Sequence, residues 1–176
     1  MAFEKTVPYR VIPLKPFRRT PGVRFHLFPM EEFPKIGAID RVIHDGGAVS
    51  PGPVDRIARP WYMHRNQEDH LVVLHGSREV ELYWPPCGRA ETFRISEDRI
   101  DKDGVTVHEG AGILAWGAGV FHRIKSDGQL GSASLNFAVR DEGFDIATNF
   151  SIYELDTTNG SFKVLREGWL DQSDAS

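Results

Sequence analysis

The chain carries a single cysteine, Cys87, in 176 residues, so no disulfide can form within it and a bridge-stapled fold is excluded. Long hydrophobic runs are missing as well. No apolar stretch approaches the roughly 18 to 20 residues that a membrane-spanning helix needs. The first thirty residues contain no continuous apolar segment of the kind that fills a secretory leader, so a cytoplasmic protein is the expectation. An excess of positive charge is also absent. The formal net charge of -4 supplies no overall basic field to draw the protein to nucleic acid or to anionic lipid. Helical periodicity is lacking too: the best candidate, Ser96 to Lys102, is short and charged. There is no internal repeat and no low-complexity tract.

What is there is a series of short apolar or alternating runs punctuated by Gly, Pro, Asn and Asp. With 40% hydrophobic residues, one domain of this length can bury an ordinary core. Strands are expected at Val23 to Phe28, Ile36 to His44, Trp61 to His64, Leu71 to Leu74 and Glu79 to Trp84. They continue at Glu91 to Ile95, Val105 to His108, Ile113 to Trp116, Val120 to Lys125, Ser132 to Arg140 and Phe150 to Leu155. Thr157-Thr158-Asn159-Gly160 then reads as a hairpin turn into Phe162 to Leu165, because Asn-Gly accepts positive φ. So many strands in one domain predict an all-β fold, a barrel or double-sheet jelly roll that removes exposed edges. The expected organisation is an extended, Pro-rich and basic arm over residues 1–21, the barrel over 22–170 and a flexible tail over 171–176. Pro8, Pro13, Pro16 and Pro21 keep the arm out of helix and central strand, so it is expected to be PPII-like or an edge strand; its roles are a free tail, a dimer-exchanging strand or a lid over an anionic ligand.

The chemistry concentrates in Trp61 to Gly76, W-Y-M-H-R-N-Q-E-D-H-L-V-V-L-H-G, three histidines and two carboxylates that run into an apolar strand. A second segment, Gly117 to His122, delivers another histidine from a glycine-rich turn. Side chains alternate along a strand, so Tyr62 and His64 share one face and Met63 takes the other. On the following strand Asp69, Leu71 and Val73 share a face opposite to His70, Val72 and Leu74. Both rows are otherwise apolar, so the pattern by itself leaves Asp69 and His70 open as the inward residue. For the second segment, Arg123 and Lys125 belong in solvent, which turns His122 inward.

These segments resemble the two motifs of the cupins. His64, four intervening residues, Asp69, six more and Gly76 match the later half of the first motif, with Asp in the place of Glu. Gly117-Ala118-Gly119, two residues and His122 match the core of the second. Tyr62 stands where the first motif histidine would be, and Ser126 where the final Asn would be. The resemblance implies a single-domain, cupin-type jelly-roll β-barrel that pairs as a homodimer. It favours Asp69 over His70, which gives His64, Asp69 and His122 as metal ligands with His70 as the substitute for Asp69.

Two imidazoles and a carboxylate are the facial set that leaves open positions on Fe(II), so a non-haem Fe(II) oxygenase of a small organic acid or aromatic is the leading expectation; Zn, Ni or Mn are the other candidate ions. A ring-cleaving cupin dioxygenase has a similar ligand set. The alternatives are a cupin isomerase, epimerase or lyase acting on a sugar or sugar acid, and a cupin that binds a small molecule without turnover. Tyr62 is either a general acid beside the ion or a core aromatic with a satisfied hydroxyl. Arg59, just ahead of the first motif strand, is the candidate for pairing with a substrate carboxylate.

Overall fold

The computed structural model describes residues 7–33 and 35–172; the first six residues of the expected arm and the last four of the expected tail lie outside them. Among the described residues fifteen strands and one short α-helix follow the chain: β1 Tyr9–Pro13, β2 Lys15–Thr20, β3 Val23–Leu27, β4 Ile36–His44, β5 Val49–Ser50, β6 Trp61–Met63, β7 Gln67–Tyr83 and β8 Ala90–Ser96. The remainder are β9 Arg99–Lys102, β10 Val105–Glu109, β11 Gly112–Trp116, β12 Phe121–Ser126, β13 Ser132–Arg140, α1 Ile146–Asn149, β14 Ile152–Leu155 and β15 Phe162–Arg166. All the named pairings are antiparallel, as short strands joined by tight turns allow. The all-β, cupin-type jelly-roll barrel expected from the sequence is the fold that forms.

Strand β7 organises the barrel. Its first half pairs with β11 on one side and β13 on the other, with β1 and β4 flanking them. Its second half leaves that sheet and pairs with β8 and β12. The crossing point is Gly76, at φ 70°, where a Cβ would stand 2.1 Å from the Gly131 carbonyl oxygen. Only glycine permits both the left-handed backbone and that close approach. The sequence marks this glycine as a turn between two strands; the structure has one continuous 17-residue strand that bends there.

Alternation along β7 then sorts its side chains between two cores. Leu71, Val73, Val80 and Leu82 pack between the sheets with Phe93, Ile95 and Leu114. Val72, on the opposite face, packs outside the first sheet against Ile12, Phe33 and Ile113. Trp61, Met63, Tyr83 and Phe121 form a third cluster outside the second sheet. Tyr9–Pro13, within the expected arm, is a strand of the first sheet, where Val11 faces the inner core and Ile12 the outer one. Ser96 to Lys102, the weak helix candidate, is a tight hairpin between β8 and β9. The helix that does form, α1, is capped by the Asp145 carboxylate, which accepts from Ala147 N–H.

Candidate functional site

The inner faces of the two sheets enclose a cavity of about 180 Å³ whose wall includes Tyr62, His64, Asp69, Trp116 and His122. Pairing in register explains why these residues meet. On β12, His122 sits opposite Tyr62 of β6, and on β7, Asp69 sits opposite Trp116 of β11. His64 follows β6 directly, and its carbonyl accepts from Gly119 N–H at 2.7 Å. That bond ties the glycine turn before β12 to the end of the first motif strand, two segments more than fifty residues apart in the chain.

One ring nitrogen of His64, one of His122 and an Asp69 carboxylate oxygen lie within 4.8 Å of one another. All three residues are buried, at 6%, 5% and 2% exposure. His64 Nε2 approaches Asp69 Oδ2 at 3.3 Å, and His122 Nε2 approaches the same oxygen at 3.9 Å. The second carboxylate oxygen accepts from Gln67 Nε2 at 2.8 Å and from Asn136 Nδ2 at 2.7 Å. Asn136 also accepts from the His70 backbone N–H, and Gln67 in turn accepts from Arg140 and Asn149. The carboxylate is thus fixed in place before any ligand arrives.

The two imidazoles differ in protonation. Burial by itself would push His64 down, but the charge of Asp69 and its hydrogen bond, joined by the bond to the Asn149 carbonyl, raise it above the ordinary histidine value. Its Nδ1–H donates to that carbonyl at 2.6 Å. The Asp69 carboxyl, which burial would raise, is held well below the usual carboxylate range by His64, then by His122 and Asn136. Burial, followed by the charge of His64, takes His122 down to about 4, so its ring is neutral. His122 Nδ1–H donates to Val120 O at 3.3 Å, which leaves the Nε2 lone pair on the side of the carboxylate. The site therefore pairs a charged donor imidazolium with a neutral acceptor imidazole, ring centroids 4.7 Å apart. Tyr62 completes the group; burial first, then the charge of Asp171, raise its phenol against a lowering bond with Ser50, so it keeps its proton.

Of the residues expected at the site, His64, Asp69, His122 and Tyr62 come together, and His70 and Arg59 do not. His70 points to the other side of the first sheet, where Nδ1 bonds the Phe137 carbonyl and the ring stands edge-on to Phe33. Arg59 faces Glu81 outside the second sheet, and its carbonyl accepts from Arg123. Alternation already implied this. Arg59 shares its parity with Trp61 and Met63, which lie in the outer cluster. Sequence reasoning missed Gln67, Arg78 and Asn136, and gave His44 no role; all four line the cavity. The parity of Asp69 offered a signal for Gln67 and that of His122 for Ser126 and its neighbour Arg78. No such signal existed for residues of β4 and β13.

Neither a family model nor a curated protein matches this sequence. Solved structures do match its fold. The 3,4-ketoisomerase QdtA from Thermoanaerobacterium thermosaccharolyticum, a point mutant in complex with TDP-4-keto-6-deoxyglucose, is 16% identical over 77% of this chain and 83% of its own, with a TM-score of 0.54. The WlaRB TDP-quinovose 3,4-ketoisomerase from Campylobacter jejuni is 17% identical over 81% of this chain and 90% of its own, at 0.55. A dTDP sugar isomerase from Desulfovibrio desulfuricans G20 is 14% identical over 77% and 80%, at 0.56.

These neighbours correct the leading expectation. Barrels of this shape carry the names of sugar isomerases, and the QdtA mutant is in complex with a nucleotide-linked keto sugar. The Fe(II) oxygenase, and with it the ferrous cofactor and the Zn, Ni or Mn alternatives, gives way to the isomerase alternative. The local physical reason is that a buried carboxylate between two imidazoles suits proton transfer as well as metal ligation, so the ligand set by itself does not select an oxygenase. The fold itself is consistent with the cupin resemblance, and no helix among the described residues is long and apolar enough to cross a membrane.

Proposed function

We propose that this chain is a cupin isomerase that acts on a keto sugar, moving a carbonyl between adjacent ring carbons. The observation that carries the reading is the convergence of His64, Asp69 and His122 in the cavity of a barrel shared with sugar ketoisomerases. Such a shift removes the proton from the carbon next to the carbonyl, passes through an enediol, and returns a proton to the former carbonyl carbon while the neighbouring hydroxyl becomes the new carbonyl. Atoms and electrons balance without an outside oxidant. The chemistry asks for one group that accepts a proton and one that donates, each near neutrality in its competent state.

The assigned roles follow the protonation states. His64, whose proton is held by the charge and hydrogen bond of Asp69, donates to the carbonyl oxygen as the enediol forms. Neutral His122 accepts the carbon-bound proton through Nε2 and returns it to the former carbonyl carbon, while His64 takes back the proton of the neighbouring hydroxyl as that becomes the new carbonyl. The Tyr62 phenol donates to the substrate oxygen. The indole Nε1 of Trp116 is buried in the wall without a partner among the described residues and supplies one further donor.

The test is incubation with TDP-4-keto-6-deoxyglucose and with free keto sugars, both neutral ones and ones carrying a carboxylate or phosphate, in D2O, followed by NMR. Isomerised product carrying deuterium at a carbon adjacent to the carbonyl is expected. Absence of both exchange and product across these substrates, with oxygen-dependent consumption instead, would return the chain to the oxygenase class.

A further inference from the structure

The cavity has a second polar end that the proton-transfer group does not use. Arg78 of β7 lines it, is 1% exposed, and faces Ser126 in register. Ser126 lies four residues beyond His122 on the same face of β12, roughly 13 Å along the strand. The guanidinium reaches across the barrel from β7 to the first sheet. Its Nε donates to Ser132 Oγ at 2.8 Å and its Nη2 to the Val42 carbonyl at 3.1 Å. Two of its five N–H groups are thereby used, and three remain on Nη1 and Nη2.

A buried cation ordinarily has a carboxylate beside it. Among the described residues no carboxylate forms an ion pair with Arg78. Asp40 also lines the cavity, but its charge bears on His64 at the other end. A second observation points the same way. His44, across from Ser132 in the ladder, has its Nδ1 buried without a partner among the described residues. Burial, then the charge of Arg78, holds its ring neutral, with a value of about 4. The Arg78 end thus offers a fixed positive charge, spare N–H groups and one unpaired ring nitrogen, separated from the reactive end by the apolar side chains of Leu71 and Ile124.

We propose that this end of the cavity is an anion subsite, which takes a carboxylate or phosphate carried by the sugar itself while the opposite end of the same ring meets His64 and His122. The assignment rests on the isomerase reading and narrows its substrate to an anionic sugar. Ser132 and the Val42 carbonyl hold the guanidinium so that its free edge meets the two oxygens of a carboxylate or phosphate together.

Calorimetric titration of the whole chain with D-glucuronate, D-glucose 6-phosphate, D-glucose and TDP tests it. At least one sugar anion is expected to bind at least tenfold more tightly than glucose, and whichever of the two binds identifies the anion. Arg78→Gln is expected to weaken that ligand about 10- to 100-fold, the range for a lost charged hydrogen bond, while glucose changes far less. Equal binding of glucose and both anions by the unaltered protein overturns the subsite, as does an equal loss for glucose in the variant. Arg78-dependent binding of TDP without binding of either sugar anion also overturns it, since the nucleotide's diphosphate would then occupy the place. If Arg78→Gln does not fold, Arg78→Lys retains the charge and the ranking in the unaltered protein still decides. Failure of the isomerase reading is separately visible, as Arg78-dependent binding of sugar anions with no deuterium entering any keto sugar.

Discussion

Two imidazoles side by side hold different protonation states because they share one carboxylate unequally. His64 is nearer to Asp69 Oδ2, 3.3 against 3.9 Å, and only His64 has its other nitrogen bonded as closely as 2.6 Å. Replacing Asp69 with Asn removes the charge and keeps the shape. Burial, the largest influence on His64, is then opposed only by the bond to the Asn149 carbonyl and the charge of Asp40, and its value falls. The expected outcome is a neutral His64 at pH 7 by NMR titration and turnover reduced about 10²- to 10⁴-fold, the usual share of a proton-transfer group. A variant with near-normal turnover would show that His64 does not move the proton. These four residues were legible in the sequence because each lies within two or three residues of a turn that sets its facing. Asp69 over His70 took the structure to settle, since both rows on that strand are apolar apart from one polar residue. Arg78 was illegible because what makes it unusual, the lack of a carboxylate beside it, depends on strands β4 and β13 lying opposite.

At the scale of elements, the strand that carries Asp69 also carries Arg78, and the bend between them decides that both line one cavity. Without the crossing at Gly76, β7 would remain in the first sheet and Arg78 could not pair with β12. Gly76→Ala places a methyl group 2.1 Å from the Gly131 carbonyl oxygen in a backbone region unfavourable to alanine. The left-handed conformation and the forced separation of β7 from the β13 end together cost on the order of 3 kcal/mol. Urea denaturation is the measurement, and a midpoint equal to that of the unaltered protein would mean that the bend is not locked by glycine. The sequence located most strands, since alternation and turn residues are local signals, but not β2, β5 or β9, which lie in stretches it reads as arm, loop and weak helix. It split β7 in two because a glycine with positive φ looks the same in a hairpin turn and in a sheet corner. Pro8 and Pro13 left the arm open between PPII and an edge strand, and β1, paired only with β11 among the described residues, takes the edge.

For the whole molecule, the buried charges set how stability changes with pH. Asp69 has a folded value below its ordinary 3.8, so its contribution is present above that pH and is lost as the pH falls through the depressed value. His44 and His122 sit near 4 when folded against 6.5 when unfolded; between those values the unfolded chain binds more protons, and stability rises with pH. His64 works in the opposite sense. Its folded value exceeds 6.5, so its contribution is complete below 6.5 and disappears as the pH rises through the raised value. The three effects together place maximal stability close to pH 6.5, with a fall on either side. Thermal melts across pH 4 to 9 are expected to show that maximum, and His64→Asn is expected to remove the decline on the alkaline side while the acid side keeps its slope from His44 and His122. An alkaline decline of equal size in His64→Asn would mean that His64 is not held as an imidazolium, and the division of labour between the two imidazoles would fall with it.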